Sequence, residues 1–259
     1  MDRIFLINTI TSWNEPPRAR HQLAFALARQ HRVVFIARNE TGNKSIDIQE
    51  VYENITLITP TFPIDYRFRY RIPVVNEIYQ NWLFSKIKEL YPEVVVVNFD
   101  FTAHRIFSYF KQVIYYCIDE YIGNSKYRNI LVNFYHRVCE NRVISRSLFN
   151  VTTSAYLTRK LGSINKATYE ILLGVTPVQL PSGYNGLNEP HDGKIRVGLM
   201  GVINERQISI GLINEISSDD SFHLILIGPM KMDLLANYAF RRKLHVPAHL
   251  KIRNWCRSS

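Results

Sequence analysis

The sequence predicts an α/β protein built on a doubly wound, mainly parallel sheet. Short runs rich in β-branched residues alternate with amphipathic stretches of helical length, and this alternation is typical of repeated β–α–β units. The run EVVVVNF at 93–99 is apolar on both faces, as expected of an interior parallel strand covered by helices. The prolines that open the stretch 16–31 suit the first turn of a helix, so a helix is expected after the first strand.

The other elements follow in order along the chain. Strands are predicted where β-branched and aromatic residues are consecutive, and helices where apolar residues recur every three or four positions. The predicted strands cover 3–8, 32–37, 55–59, 93–99, 112–118, 149–154 and 168–173, and the predicted helices cover 16–31, 74–91, 102–110, 127–147 and 155–161.

A stretch without periodicity then divides the chain. Residues 174–193 are rich in Pro, Gly and Asn, which indicates a linker, and beyond them the alternation of strand and helix restarts. Strands are predicted at 195–200 and 222–228, with helices at 207–217 and 231–243. We therefore expect a Rossmann-like N-terminal domain over 1–176, a linker over 177–193, and the start of a second, incomplete Rossmann-like domain over 194–259.

Composition limits the class of protein. The chain has 259 residues, of which 46% are hydrophobic, and this is enough to bury a core. Its apolar runs are shorter than the roughly 20 residues of a membrane span, and the N-terminus lacks the pattern of a secretory signal. The three cysteines are odd in number and widely spaced, which indicates neither a disulfide framework nor a zinc site. These features favour a cytoplasmic protein with no metal.

The charge balance favours an anionic partner. Lys and Arg number 32 against 22 Asp and Glu, which gives a formal net charge of +10. Phosphate-bearing ligands, anionic lipid and nucleic acid all fit such a charge. Nucleic acid is the least expected of the three, because no zinc finger, basic zipper or aromatic RNA-binding motif is present.

A glycine turn follows the first strand after the linker. IRVGLMGVINER at 195–206 has the order strand, glycine turn, helix, an arrangement that commonly offers backbone N–H groups to a phosphate. Arg206 would place a guanidinium on the phosphate oxygens. The alternative is that Gly198 and Gly201 only permit close packing of strand and helix, with Arg206 in solvent.

Two carboxylates end the predicted strand at 112–118. Asp119 and Glu120 would lie at the carboxyl edge of the sheet, where a carboxylate can orient or deprotonate the hydroxyl of a bound molecule. Both are candidates for a catalytic role. The alternative for Asp119 is a cap on the following turn or helix.

The first β–α loop and the start of its helix carry a group of aromatic and basic residues. An arginine at a helix N-terminus suits a phosphate or an acidic sugar, although an ordinary solvated basic helix start is an equal alternative. The group contains Trp13, Arg18, Arg20 and His21.

Aromatic residues and arginines also alternate in the stretch 66–84. Such a pattern suits the interface of an anionic bilayer, and the alternatives are a protein partner or packing in the core.

Several stretches together resemble the B-type retaining glycosyltransferases of the broad group 1, or family four, class. The resemblance covers nearly the whole chain as a pattern rather than as one invariant motif. It is carried by RARHQLAFALARQHRVVFI (18–36), VIYYCIDEYIG (113–123), CENRVISRSLFNVTTSAYL (139–157), YEILLGV (169–175), IRVGLMGVINERQISIGLINEI (195–216) and FHLILIGP (222–229).

The resemblance implies two Rossmann-like domains and transfer of a sugar, with retention, from a nucleoside diphosphate sugar to a glycan or lipid-linked acceptor. It implies no cofactor, and it suggests bacterial surface polysaccharide synthesis in the cytoplasm, at the inner face of the plasma membrane if 66–84 binds lipid. Asp119 matches an acidic or histidine position of that family, which makes it the first choice for the catalytic role and Glu120 the second. Donor contacts would come from the second domain and acceptor contacts from the first β–α loop. The implied donor residues are Gly201, Asn204, Arg206 and Gly228, and the implied acceptor residues are Trp13, Arg18, Arg20 and His21.

The sequence also departs from that family. Val202 stands where a basic residue often follows the glycine, and no pair of glutamates follows Pro229 to contact the donor. The second domain is therefore expected to be incomplete. The leading hypothesis is a glycosyltransferase of the hexosyltransferase type, and the second is that the chain is not an enzyme as it stands but a non-catalytic or degenerate acceptor-binding module without a complete donor site. An NAD-dependent oxidoreductase ranks third, because G-x-G-x-x-G is absent.

Overall fold

The structure is a computed structural model that describes residues 3–15, 18–122, 130–174, 193–201 and 209–227. Contacts between Cα atoms divide the chain into two compact units, Met1–Pro177 and Val178–Ser259. Among the helices in these ranges, none combines the length and the apolar character needed to traverse a bilayer.

The first unit is an alternation of strands and helices. Its described elements are β1 (Ile4–Asn8), α1 (Ala19–Ala28), β2 (Arg32–Ile36), β3 (Glu40–Thr41), β4 (Ser45–Tyr52), β5 (Ile55–Phe62), α2 (Tyr66–Arg69), α3 (Pro73–Leu90), β6 (Val95–Asn98), a 3-10 helix (His104–Ser108), β7 (Val113–Cys117), α4 (Ile130–Arg146), β8 (Phe149–Thr152), α5 (Ala155–Gly162) and β9 (Thr168–Glu170).

These strands form one sheet in the order β3-β5-β2-β1-β6-β7-β8-β9, and β4 pairs with β5 at one side. Every pair is parallel except β4 with β5, so the predicted doubly wound parallel sheet is confirmed. From β1 the chain continues to β2 on one side and later returns to β6 on the other. The topological switch point therefore lies between β1 and β6, where ligands commonly bind in sheets of this type.

The core lies on both faces of the sheet. Leu6 of β1 packs in a cluster with Leu83 and Phe84 of α3, whereas the next residue, Ile7, packs in a second cluster with Ala24 of α1. Successive side chains of a strand point to opposite faces, so β1 is buried by helices on both sides. Val96 and Val97 of β6 lie in the same two clusters, which explains why the run predicted as an interior strand at 93–99 is apolar on both faces.

Four elements differ from the sequence prediction. The strands β3 and β4 and the short helix α2 were not predicted, and a 3-10 helix replaces the helix expected over 102–110. β4 lies at the edge of the sheet with most of its residues exposed, and it turns into β5 through Asn54, which has φ 62°. Asparagine tolerates this left-handed conformation better than most residues do.

The second unit is described as one β–α–β segment. It consists of β10 (Ile195–Met200), α6 (Ile210–Ser218) and β11 (Phe222–Ile227), and the two strands are parallel. Ser209 caps α6, because its Oγ accepts a hydrogen bond of 3.4 Å from the amide of Leu212. The helix predicted at 231–243 lies outside the described residues.

Candidate functional site

Polar side chains meet at the carboxyl edge of the sheet at its switch point. Asn8 at the end of β1 donates from Nδ2 to Oδ1 of Asn98 at the end of β6, at 2.8 Å. The same Oδ1 accepts from the amide of Asp100 at 3.0 Å, and Nδ2 of Asn98 donates to the carbonyl of Asp100 at 2.9 Å. These bonds join the ends of the two strands and fix the loop that leaves β6.

Asp100 is the centre of this group. It is buried, and its Oδ1 accepts from the amide and the hydroxyl of Thr102, both at 2.8 Å. Its Oδ2 accepts from the hydroxyl of Tyr70 at 2.8 Å. Burial, together with the charge of Asp100, raises the pKa of Tyr70 well above its ordinary value, so the phenol stays protonated and donates. Asp100 is not among the predicted site residues, although it lies two residues after the end of the apolar strand β6.

Arg69 lies beside this group and is 2% exposed. Its guanidinium is 4.3 Å from the ring centre of Tyr70 and 3.9 Å from that of Tyr79. Nε donates to Oδ1 of Asn39 at 3.1 Å, and a second guanidinium nitrogen donates to Oδ1 of Asn76. Burial opposes the charge, but Tyr70, Tyr79 and Asp100 more than offset it, so the pKa of Arg69 is raised.

The burial of Arg69 corrects the interpretation of 66–84 as a continuous lipid-facing stretch. Tyr79, Leu83 and Phe84 are also buried in the core. The exposed apolar residues of the segment are a different set, on α2 and on the outer side of α3: Phe68, Ile72, Val74 and Ile78.

Asp119 and Glu120 follow β7 at the same edge of the sheet, as predicted. Asp119 is exposed, and its Oδ1 accepts a 2.8 Å hydrogen bond from the amide of Glu120. Glu120 forms a 2.7 Å ion pair with Lys160 of α5, which also pairs with Glu140 of α4 at 3.2 Å. The two carboxylates thus differ: Glu120 joins α5 to the end of β7, whereas the carboxylate of Asp119 faces solvent.

The network around Lys160 is electrostatically coupled. Glu140 is almost completely buried, and this burial raises its pKa against the opposing effect of Lys160. Burial also disfavours the charge of Lys160, but its hydrogen bonds and ion pairs with Glu120 and Glu140 outweigh it and raise the pKa of the ammonium. Glu120 is therefore tied to a structural ion network.

The first β–α loop places its predicted residues in two environments. Arg18 caps α1, pairs with Glu15 at 3.4 Å and donates its amide to Nδ1 of His21 at 3.2 Å. The buried ring of His21 stacks on the ring of Phe35, with 5.3 Å between the ring centres. The ring of Trp13 packs on His21 from a centre-to-centre distance of 5.4 Å. Burial lowers the pKa of His21 and so favours the neutral imidazole, whose Nδ1 accepts the hydrogen bond from the amide of Arg18. His21 and Trp13 therefore shape the loop by packing, and their contact with an acceptor stays a prediction.

Arg20 is different from its neighbours in this loop. It is 3% exposed, and its guanidinium lies over the ring of Phe99, which follows β6, with Cζ 5.6 Å from the ring centre. The side chain thus extends from α1 to the switch point. Tyr121, after β7, stacks on Phe101 at 5.0 Å and contributes its hydroxyl to the same region.

In the second unit the glycine turn begins as predicted. Gly201 directly follows β10 and has φ 140°, a conformation that residues with a side chain rarely adopt. A Cβ atom at this position would meet nothing within 4 Å, so the backbone conformation rather than lack of space requires the glycine. The other predicted donor residues, Asn204, Arg206 and Gly228, lie outside the described residues.

The described ranges contain no group of three or more His, Cys, Asp or Glu side chains that could hold a metal ion. Cys117 and Cys139 are buried free thiols, and burial raises the pKa of each to about 12. Both are therefore protonated near neutral pH and are poor metal ligands or nucleophiles.

Comparisons by sequence find neither a protein-family model nor a curated protein that matches. Solved structures do match. A sucrose-phosphate synthase from Thermosynechococcus elongatus has a TM-score of 0.67 at 14% identity, over 95% of this chain and 70% of that one. An α,α-trehalose-phosphate synthase (UDP-forming) from Burkholderia vietnamiensis gives 0.60 at 11% identity, over 91% and 65%. The HepE protein of Anabaena, in complex with UDP, gives 0.57 at 13% identity, over 94% and 68%.

These neighbours are GT-B glycosyltransferases. The chain shares their Rossmann-like α/β fold. At such low identities the likeness is one of fold, and the GT-B neighbours do not establish the family four class. The polar edge of the first unit and the glycine turn of the second are thus parts of a fold that these neighbours share.

Proposed function

We propose that this protein is a glycosyltransferase that moves a sugar from a nucleoside diphosphate sugar to a glycan or lipid-linked acceptor. The observation that carries the proposal is the group of polar side chains at the switch point of a Rossmann-like unit whose structural neighbours are GT-B glycosyltransferases. The first unit would hold the acceptor and the second the donor. The structural neighbours support a uridine nucleotide, since one is described as UDP-forming and another was solved with UDP.

The donor site in this proposal is built on the glycine turn after β10. Gly201 lets the backbone approach the diphosphate, and Asn204, Arg206 and Gly228 complete the contacts. Arg206 would neutralise charge that grows on the departing nucleoside diphosphate as the glycosidic bond breaks. This interaction is stronger in the transition state than in the bound substrate, so it accelerates the reaction.

The reaction forms one bond and breaks one. The acceptor oxygen bonds to the anomeric carbon, the bond from that carbon to the phosphate oxygen breaks, and the acceptor proton passes to the phosphate oxygen or to a carboxylate. Asp119 is assigned to orient this hydroxyl, because its carboxylate is exposed at the carboxyl edge whereas Glu120 is paired with Lys160. Retention of configuration is proposed from the family resemblance.

Donor binding tests the proposal. We expect calorimetry on the full chain to detect binding of at least one member of a panel of nucleoside diphosphate sugars. Arg206→Ala removes a charge-assisted contact and is expected to weaken this binding about 10- to 100-fold. Arg29→Ala, which removes the same charge at the exposed end of α1, should leave it unchanged. Absence of binding by every member would contradict the proposal and favour the acceptor-binding module.

We also propose a peripheral position on anionic membrane. The exposed residues Phe68, Ile72, Val74 and Ile78 supply an apolar surface, and Arg67 and Arg71 lie in the same segment of a chain with net charge +10. Arg67→Ser combined with Arg71→Ser is expected to lower affinity for phosphatidylglycerol vesicles about 30-fold in a sedimentation assay at low salt. The matched control is Arg29→Ser with Arg32→Ser. Equal binding to neutral vesicles and to phosphatidylglycerol vesicles would contradict the proposed position on an anionic membrane.

A further inference from the structure

Arg20 is a buried cation, and no acidic side chain of the described residues forms an ion pair with it. Its side chain is 3% exposed, and Nε has no hydrogen-bond partner among the described residues. Glu15, the carboxylate in the preceding loop, is paired instead with Arg18 at 3.4 Å and with Arg38 at 3.1 Å. Burial lowers the pKa of Arg20. Proteins bury an arginine in this way at considerable cost unless an anion completes the arrangement.

Two neighbouring groups point to the same place. The hydroxyl of Tyr121 is also buried and has no hydrogen-bond partner in the described part of the chain. Burial raises the pKa of Tyr121, and the charge of Arg20 opposes this effect without cancelling it. The first turn of α1, where Arg20 lies, contains no acidic residue. The N-terminus of a helix carries a partial positive charge, so both the helix and the side chain favour a negative group here.

The position fits a ligand at the switch point. Arg20 comes from α1, its guanidinium lies over Phe99 after β6, and Tyr121 follows β7 two residues after Asp119. An anionic group bound by Arg20 and Tyr121 would therefore lie at the same edge of the sheet as the carboxylate of Asp119.

We infer that Arg20 and Tyr121 bind a phosphate or carboxylate group of the acceptor, which is therefore an anionic sugar. The inference rests on the proposed function, because it names the acceptor class of that reaction. A guanidinium matches both phosphate and carboxylate in a bidentate manner, and the tyrosine hydroxyl donates a further hydrogen bond. Asp119 lies next to this site and would contact a hydroxyl of the same sugar.

Calorimetry on the full chain with glucose 6-phosphate, glucuronate, inorganic phosphate and uncharged glucose tests the inference. We expect at least one charged sugar to bind more tightly than glucose. Arg20→Gln is expected to weaken that binding about 10- to 100-fold and Tyr121→Phe about 3- to 10-fold. Arg18→Gln, which removes an exposed arginine of the same helix start, is the matched control and should change it little. Comparison of inorganic phosphate with glucuronate shows whether the site prefers a phosphate or a carboxylate group.

A stability measurement separates a binding residue from a structural one. Arg20→Met removes a buried charge that has no ion pair within the described part of the chain, so we expect the ligand-free variant to melt at the same temperature as the unchanged protein or higher, while it loses binding of the charged sugar. Equal affinity for glucose and the charged sugars, binding that survives Arg20→Gln, or a lower melting temperature of Arg20→Met would overturn the inference. The residues proposed to bind the donor belong to the second unit and do not include Arg20, so failure of the proposed function would show independently in the donor titration.

Discussion

Replacing Arg69 with methionine is expected to lower the free energy of unfolding by about 3–5 kcal/mol. The guanidinium is buried between two tyrosine rings and donates to Asn39 and Asn76, and its charge lies close to that of Asp100. Methionine fills part of the space but donates nothing. The two amide oxygens lose their donor and the buried carboxylate of Asp100 loses a compensating charge, so the cost exceeds that of one hydrogen bond.

Chemical denaturation monitored by circular dichroism measures this change. Arg67→Met is the matched control, because Arg67 lies two residues earlier, is exposed and forms a surface ion pair at 2.9 Å with the nearby Asp65. We expect no measurable change in its unfolding midpoint. Similar stability of the Arg69 variant and the Arg67 variant would contradict the burial of Arg69 and would restore a solvent-facing role for the whole stretch 66–84.

Replacing Asp119 with asparagine is expected to lower the turnover number about 100-fold or more, with the fold unchanged. The asparagine keeps the size of the side chain and one oxygen for the amide of Glu120, but it cannot accept a proton from the acceptor hydroxyl. Steady-state release of nucleoside diphosphate in the presence of an acceptor measures the effect. Once an active donor and acceptor pair is known, kcat and KM can be separated.

Glu170→Gln is the control for this variant. Glu170 ends β9 at the same edge of the sheet and is exposed, so its replacement removes one carboxylate from the edge without removing Asp119. We expect its turnover to match that of the unchanged protein. Full activity of Asp119→Asn together with an altered melting temperature would show that Asp119 acts as a cap through its 2.8 Å bond to the amide of Glu120.

The sequence predicts the parallel sheet well because its strands are runs of apolar residues buried on both faces. The strand expected at 93–99 is found at Val95–Asn98, and that expected at 195–200 has the same limits in the structure. The signal for β4 is weaker, since SIDIQEVY alternates apolar and polar residues at an exposed edge. Alternation of this kind is typical of an antiparallel edge strand, and with the turn at Asn54 it could have been found.

The candidate site was predictable only in part. Asp119 was found because a carboxylate follows an apolar strand, and Asp100 follows β6 in the same way but was overlooked. The partners of Asp100 could not be read from local pattern, because Tyr70 lies 30 residues away in sequence and reaches Asp100 through the packing of α2 and α3. Arg69 shows the same limit: its neighbours in sequence indicate a surface, whereas Asn39 and Asn76 hold it in the core.

Transfer from donor to acceptor is the most direct test of the central claim. The full chain would be incubated with a panel of UDP-sugars and with neutral and anionic sugar acceptors, and nucleotide release and product mass would be measured together. The account predicts release of UDP from at least one donor, a product heavier by one sugar residue, and loss of both signals in Arg206→Ala. If no pair of donor and acceptor gave nucleotide release or a heavier product, this result would contradict the assignment of this protein as a glycosyltransferase.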